Sequence, residues 1–314
     1  MKFSYFFVTI ILCLVTVCTA IAQNINKVYL DSADSSKSCY TILSPSGIEI
    51  RGYLLLIPGM GETAESVVAE TLLPKQLAKN GILTIIPTFQ DGPMSLGIDE
   101  ASQNSLKAIL NDVGGMIKLS DQQFFIGGFS IGGSAALRYA ELASADGYGP
   151  KPAAVFAIDP PLDFERFYHS CKRDIRLSGT EEPNQESIYM IDRLEKVMNG
   201  SPETKLESYR KYSPYSFSDT TQRAIKSLLN IPVRIYSEPD VSWWMKERHA
   251  DLSSMNALDC SAMVNELNRL GNGQASLITS QGKGYRKAGN TRHPHSWSIV
   301  DNDNLVQWLL QIPR

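Results

Sequence analysis

The sequence has little histidine and little cysteine, four and five residues respectively in 314. No C-x-x-C pair occurs, so a cysteine zinc site lacks its usual ligand spacing. Charge of either sign is also modest: 30 Lys and Arg against 33 Asp and Glu give a net charge of −3 at pH 7. That balance argues against a nucleic-acid partner, which calls for a basic face. There is no G-x-G-x-x-G and no Gly-Lys-Ser/Thr phosphate loop, so no nucleotide cofactor is implied. No tandem repeat of about 20–50 residues is present, which excludes solenoids and propellers. With 43% hydrophobic and 20% charged residues, the chain is too apolar to be disordered. What remains is an enzyme or a soluble binding protein.

One apolar run stands at the start. Lys2 precedes Phe6–Val17, and Ala20-Ile-Ala22 follows, with small residues at both positions a signal peptidase requires. This predicts a signal peptide over 1–22 with cleavage after Ala22, and hence a secreted or periplasmic protein. The run is short for a membrane span and no basic stop-transfer segment follows it. Val17, bulky, precedes Cys18 where a lipoprotein wants a small residue. Beyond the signal, Cys39, Cys171 and Cys260 allow at most one disulfide; Cys171–Cys260 is the candidate, and three buried thiols are the alternative. No later stretch reaches the ~18 consecutive apolar residues of a span, so no stable membrane insertion of the mature chain is expected.

The rest of the chain, 23–314, reads as one domain of alternating strands and helices. Residues 24–38 are polar and read as a loose lead-in. Strands are predicted at Cys39–Leu43, Gly52–Pro58, Ile82–Ile86 (stopped by Pro87), Gln123–Gly127 and Ala153–Ile158, then at Val233–Ser237 and Ala275–Thr279. Helices are predicted over 64–79, 99–119, 134–143, 253–270 and 299–311. Runs such as Tyr53-Leu-Leu-Leu-Ile57 suit strands buried on both faces. The pattern predicts a doubly wound, mostly parallel sheet with right-handed crossovers. Residues 160–228 break the rhythm and predict a mostly helical insertion over one end of the sheet. In such sheets a ligand binds outside the carboxyl ends of the strands.

At one of those ends stands Gly128-Phe-Ser130-Ile-Gly132, a G-x-S-x-G motif. The bare pattern is short enough to arise by chance, but its context is specific: an apolar strand before it and the small-residue helix Gly133-Ser-Ala-Ala-Leu after it. A nucleophile elbow needs that order, because the serine sits on a strained strand-to-helix turn. Glycines two before and two after keep Cβ atoms out of the close approach. The helix N-terminus directs free N–H groups at the same place.

On these residues the chain resembles the α/β-hydrolase superfamily over about 39–314. The resemblance implies the fold of that superfamily and a serine, an acid and a histidine in that chain order. Ser130 matches the nucleophile. Arg292-His293-Pro-His295-Ser-Trp297 lies after the last strand and before the last helix, where the family places its base. His295 is chosen, with His293 next; a His-x-His metal pair is the rival reading and is set aside because metal would compete with the base. The acid is expected after Val233–Ser237, where Glu238-Pro-Asp240 stands. Asp240 is chosen, with Glu238 and Asp251 as alternatives; the stretch 241–252 is longer than the family pattern leads one to expect. The oxyanion hole takes the amide of Ile131 and that of Met60 in Pro58-Gly59-Met60-Gly61, where the family often has His-Gly-x-Gly.

Together these parts imply acyl transfer through an acyl-enzyme with no cofactor and no metal. The expected partner is a small-molecule ester or a peptide. The insertion and the loop 88–98 would frame the pocket, with Tyr168, Tyr209, Tyr212 and Tyr215 either stacking on substrate or packing the insertion. A secreted serine esterase is the first reading. A serine peptidase of the same fold is the second, with Glu181-Glu182 its one hint, and a non-catalytic binding protein that keeps the fold is the third.

Overall fold

The computed structural model describes residues 24–30, 39–116, 119, 122–145, 147–179, 182 and 184–313. The expected signal peptide and its cleavage site, and Glu181, lie outside the described residues. The sheet has eight strands: β1 (Asn24–Tyr29), β2 (Cys39–Ser44), β3 (Gly52–Ile57), β4 (Ile82–Thr88), β5 (Gln123–Phe129), β6 (Ala154–Ile158), β7 (Val233–Ser237) and β8 (Ala275–Thr279). Their order is β1-β2-β4-β3-β5-β6-β7-β8. Strand β2 is antiparallel to both neighbours, and every pairing from β4 to β8 is parallel.

The continuous apolar runs fold into central strands because alternate side chains enter different layers. Leu54, Leu56, Phe125 and Phe156 join one core with helices α1 (Ala64–Glu70), α2 (Leu73–Lys79) and α11 (Asn302–Gln311). Leu55, Ile57, Phe124, Ile126 and Val155 join the other, with α3 (Glu100–Met116), α4 (Ile131–Ala143) and α10 (Ala257–Arg269). Between β6 and β7 lie α5 (Phe164–Leu177), α6 (Gln185–Met198), α7 (Pro202–Tyr212) and the short α8 (Arg223–Lys226). Phe164, Tyr168, Met190, Leu194 and Tyr209 of this segment form a third core with Leu96, Ile98 and Ile131. Among the described residues no helix is long and apolar enough to cross a membrane.

The lead-in is not loose throughout: Asn24–Tyr29 pairs along its whole length with β2. The single helix expected over 64–79 is two, parted at Thr71-Leu72, with Pro74 opening the second. Pro87 does not stop β4, which runs to Thr88. Pro87 stands beyond the last residue that pairs with β3, so its missing N–H is needed on at most one side. The unexplained stretch after Asp240 is helix α9 (Val241–Arg248).

Strands β3 and β5 are neighbours whose connections leave in opposite directions, β3 toward β4 and β5 toward β6. This is the topological switch point of the sheet, and a crevice opens at the carboxyl ends there. Ile57 pairs with Gly128, so the turn after β3 and Ser130 after β5 emerge side by side.

Candidate active site

Ser130 is the N-cap of α4 and has φ 54° and ψ −128°, a conformation costly for a side-chain-bearing residue. Its own amide donates to Ile158 O at 2.8 Å, which ties the elbow to the end of β6. The flanking glycines are sterically required. A Cβ on Gly128 would lie 2.4 Å from Gly132 C and O, and one on Gly132 would lie 2.2 Å from Pro58 O. The elbow is therefore packed backbone on backbone against the turn after β3.

That turn is Pro58-Gly59-Met60-Gly61. A Cβ on Gly59 would meet the Phe129 ring at 2.8 Å, and Gly61 has φ +79° and donates to Pro93 O at 2.8 Å. Met60 and Ile131 both border the cavity that contains Ser130. Among the described residues neither of their amides has a protein acceptor. The loop 88–98 thus braces this turn through Pro93, and it puts Leu96 and Ile98 in the core with α5–α7 rather than along the cavity.

His295 opens on the same cavity. Its Nδ1 lies 2.7 Å from Asp159 Oδ2, and its ring stacks on Phe129 with centroids 4.6 Å apart. An Nδ1–H donated to the carboxylate leaves Nε2 as the acceptor. Asp159 is the first residue after β6, with φ 46°. It is buried and held on three more sides. Its amide donates to Tyr236 O at 2.7 Å, its Oδ1 accepts Ser237 Oγ–H at 2.6 Å, and its carbonyl accepts Asn256 Nδ2–H at 2.8 Å.

This placement corrects the expected acid. Asp240 does not face His295. Its Oδ1 caps α9 by accepting Trp243 N–H at 3.1 Å, and its Oδ2 pairs with Arg292 at 2.7 Å. The helix that lengthens this connection consumes the carboxylate. Glu238 is buried and also paired with Arg292, and it accepts Ser280 Oγ–H and the amides of Lys283 and Gly284. Asp251 is a surface partner of Arg173. One local signal pointed to Asp159: an acid directly after a buried strand and before Pro160-Pro161, which cannot continue it.

His293 is not a second base beside the carboxylate. It packs against both Trp243 and Trp244, with centroids 5.0 and 5.7 Å away. Burial first, then the charges of Arg286, His295 and Arg248, push its pKa down to about 3, so the ring is neutral. Among the described residues no cluster of three His, Cys, Asp or Glu is arranged to hold a metal ion. His169 and His249 are exposed and away from the cavity lining. Tyr168 and Tyr209 are buried in the third core with Tyr212 half-buried against it, and Tyr215 is buried in the core with α3, α4 and α10. Cys171 and Cys260 are free buried thiols, not a disulfide.

Sequence reasoning missed a further residue, Glu62. Its Oε2 accepts the Gly59 amide at 2.7 Å and its Oε1 accepts the Trp297 indole N–H at 2.9 Å.

No protein-family model matches the sequence, and no curated protein matches it. Solved structures do match its shape. Carboxyl esterase 2 of the mycorrhizal fungus Tuber melanosporum superposes with a TM-score of 0.57 at 14% identity, over 94% of this chain and 87% of that one. An S-formylglutathione hydrolase from Agrobacterium tumefaciens gives 0.57 at 13% identity, over 93% and 99%. The acylaminoacyl peptidase of Pyrococcus horikoshii gives 0.56 at 11%, over 92% of this chain and 42% of that one. The eight-stranded sheet with its reversal at β3 and β5, the elbow after β5 and these superpositions together establish that the chain has the α/β-hydrolase fold.

Proposed function

We propose that this protein is a serine hydrolase that cleaves small carboxylic esters through an acyl-enzyme. The observation that carries the reading is the 2.7 Å contact of His295 Nδ1 with buried Asp159, on the cavity that also holds the strained Ser130. The names of two structural neighbours, a carboxyl esterase and an S-formylglutathione hydrolase, agree with a hydrolase, and the first with the ester.

In this reading His295 Nε2 takes the proton of Ser130 Oγ as that oxygen attacks the ester carbonyl. Asp159 keeps the imidazole in the tautomer that can accept the proton and stabilises the imidazolium that forms. The amides of Met60 and Ile131 meet the oxyanion. The imidazolium returns its proton to the leaving alcohol, and water activated by the same base releases the acid from Ser130. Helices α5 and α6 border the cavity and act as a cap over the site. The cavity is about 280 Å³, just below the ~300–1,000 Å³ usual for ligand sites, which favours a short acyl group over a long lipid chain. Export is part of the proposal and rests on Lys2, the run Phe6–Val17 and Ala20-Ile-Ala22.

The test is labelling of the purified chain, residues 23–314, with a fluorophosphonate probe, beside Ser130→Ala and His295→Ala. Labelling of the native protein that disappears in both variants is the expected result. A native protein that stays unlabelled and leaves p-nitrophenyl acetate intact would sink the proposal. Cleavage of a peptide p-nitroanilide in preference to the ester would move the assignment to a peptidase.

A further inference from the structure

Glu62 joins the turn beside it to a loop 235 residues further along the chain. One is the turn after β3, through Gly59, the residue before Met60. The other is the loop of His295, through Trp297. The Trp297 ring lies 5.2 Å from Phe129, the ring on which His295 stacks. Closing the local turn to Gly59 does not explain the bond to Trp297, and neither does capping of α1. The N-terminus of α1 is already closed by Thr63 and Ser66, whose reciprocal bonds form a capping box.

The chemistry at Glu62 is specific. Gly59 N–H and Trp297 Nε1–H can only donate. A carboxylate offers an acceptor oxygen to each, whereas a carboxamide has one oxygen and one donating NH₂. Burial raises the Glu62 carboxyl pKa above its ordinary value, and these two hydrogen bonds and the charge of His295 offset only part of that rise. The contacts that link the two loops favour the carboxylate form against that burial.

We infer that Glu62 is a positioning residue, which sets the oxyanion-side turn and the His295 loop in register with each other. The inference rests on the serine-hydrolase reading above. Its role is to keep the Met60 amide and the His295 ring in fixed places around one reacting carbonyl. Small displacements of groups so placed are enough to cost rate.

The experiment compares Glu62→Gln, Trp297→Phe and the double variant. The readouts are the rate of fluorophosphonate labelling and steady-state hydrolysis of p-nitrophenyl acetate. In Glu62→Gln an NH₂ must face either Gly59 N–H or the indole N–H. The expected result is a fall in kcat and labelling rate on the order of 10- to 100-fold, with KM within about twofold. In the double variant the indole donor is gone, the amide oxygen is free for Gly59, and the rate rises above that of Glu62→Gln alone. A pH profile adds a readout that packing alone would not move. Asp159, Glu62 and His293 face His295, and Glu70 and His295 face Glu62. Loss of the Glu62 charge disfavours the imidazolium, so the acidic limb of kcat/KM moves to lower pH. A Glu62→Gln enzyme with native kcat, a loss confined to KM, or a double variant slower than either single one would overturn the inference while native labelling persists. A native protein that neither labels nor hydrolyses overturns the serine-hydrolase reading and this inference with it.

Discussion

His295 Nδ1 meets the carboxylate of Asp159 at the end of β6, while Asp240, beyond β7, is paired with Arg292 and caps α9. The two acids therefore answer differently to the same isosteric change. Asp159→Asn removes the anion that fixes the His295 tautomer, and kcat is expected to fall by about 10⁴-fold, the scale for a triad acid made an amide. Asp240→Asn keeps an oxygen for Trp243 N–H and leaves His295 untouched, so kcat stays within about threefold of native, as befits a residue outside the reacting set. Hydrolysis of p-nitrophenyl acetate by the two variants measures both. Equal losses would refute the assignment.

Much of this was legible because burial writes itself into sequence. The runs Tyr53–Ile57 and Gln123–Gly127 read as buried strands because their alternate apolar residues do enter two cores. Ser130, Ile131, Met60 and His295 come to one cavity because each follows a strand or turn that the pattern located. What stayed hidden depends on long-range pairing. Asn24–Tyr29 breaks the alternation of a strand with Asn26-Lys27, and it forms its strand beside β2. Asp159 is passed over because the acid is expected one strand later, after Val233–Ser237. Glu62 carries no local signal, since one of its two partners is Trp297 at the far end of the chain.

The glycines of the elbow should tolerate nothing larger, but not equally. A Cβ on Gly132 would meet Pro58 O at 2.2 Å and Ile57 O at 2.4 Å, both backbone atoms that cannot swing aside. Gly132→Ala is expected to destabilise the fold by about 3 kcal/mol or more, beyond ordinary overpacking, and to abolish fluorophosphonate labelling. At Gly133 the tightest contacts are 3.1 Å, to Ala157 Cβ, Gly128 O and Pro160 Cβ. Gly133→Ala should cost clearly less. Urea unfolding of the two variants checks the order, and a reversed order would show that the elbow can relax.

The three cysteines Cys39, Cys171 and Cys260 are buried and unpaired. Burial pushes the Cys171 thiol up to about 12 and Cys260 above its ordinary value, so little thiolate exists at neutral pH. In the folded protein all three should resist N-ethylmaleimide, as read by peptide mapping, and all three should react once denatured. A reductant should leave the melting temperature unchanged. A drop in melting temperature with dithiothreitol would instead reveal a disulfide.

Glu141, on the buried face of α4, sets a pH dependence of stability. Burial pushes its carboxyl up to about 8, despite the Arg138 guanidinium 3.0 Å away, which favours the charged form. In the unfolded chain the same group titrates near ~4.3. Between these values the unfolded state loses its proton while the folded state keeps it. Stability is then greatest below about pH 4.3 and falls as pH rises toward about 8, where the cost is fully felt. Glu141→Gln, a neutral isostere, removes this term. The melting temperature of the variant relative to native should therefore climb steadily from pH 5 to pH 8. A difference that is flat with pH, or that shrinks as pH rises, would mean that Arg138 holds Glu141 ionised in the folded protein.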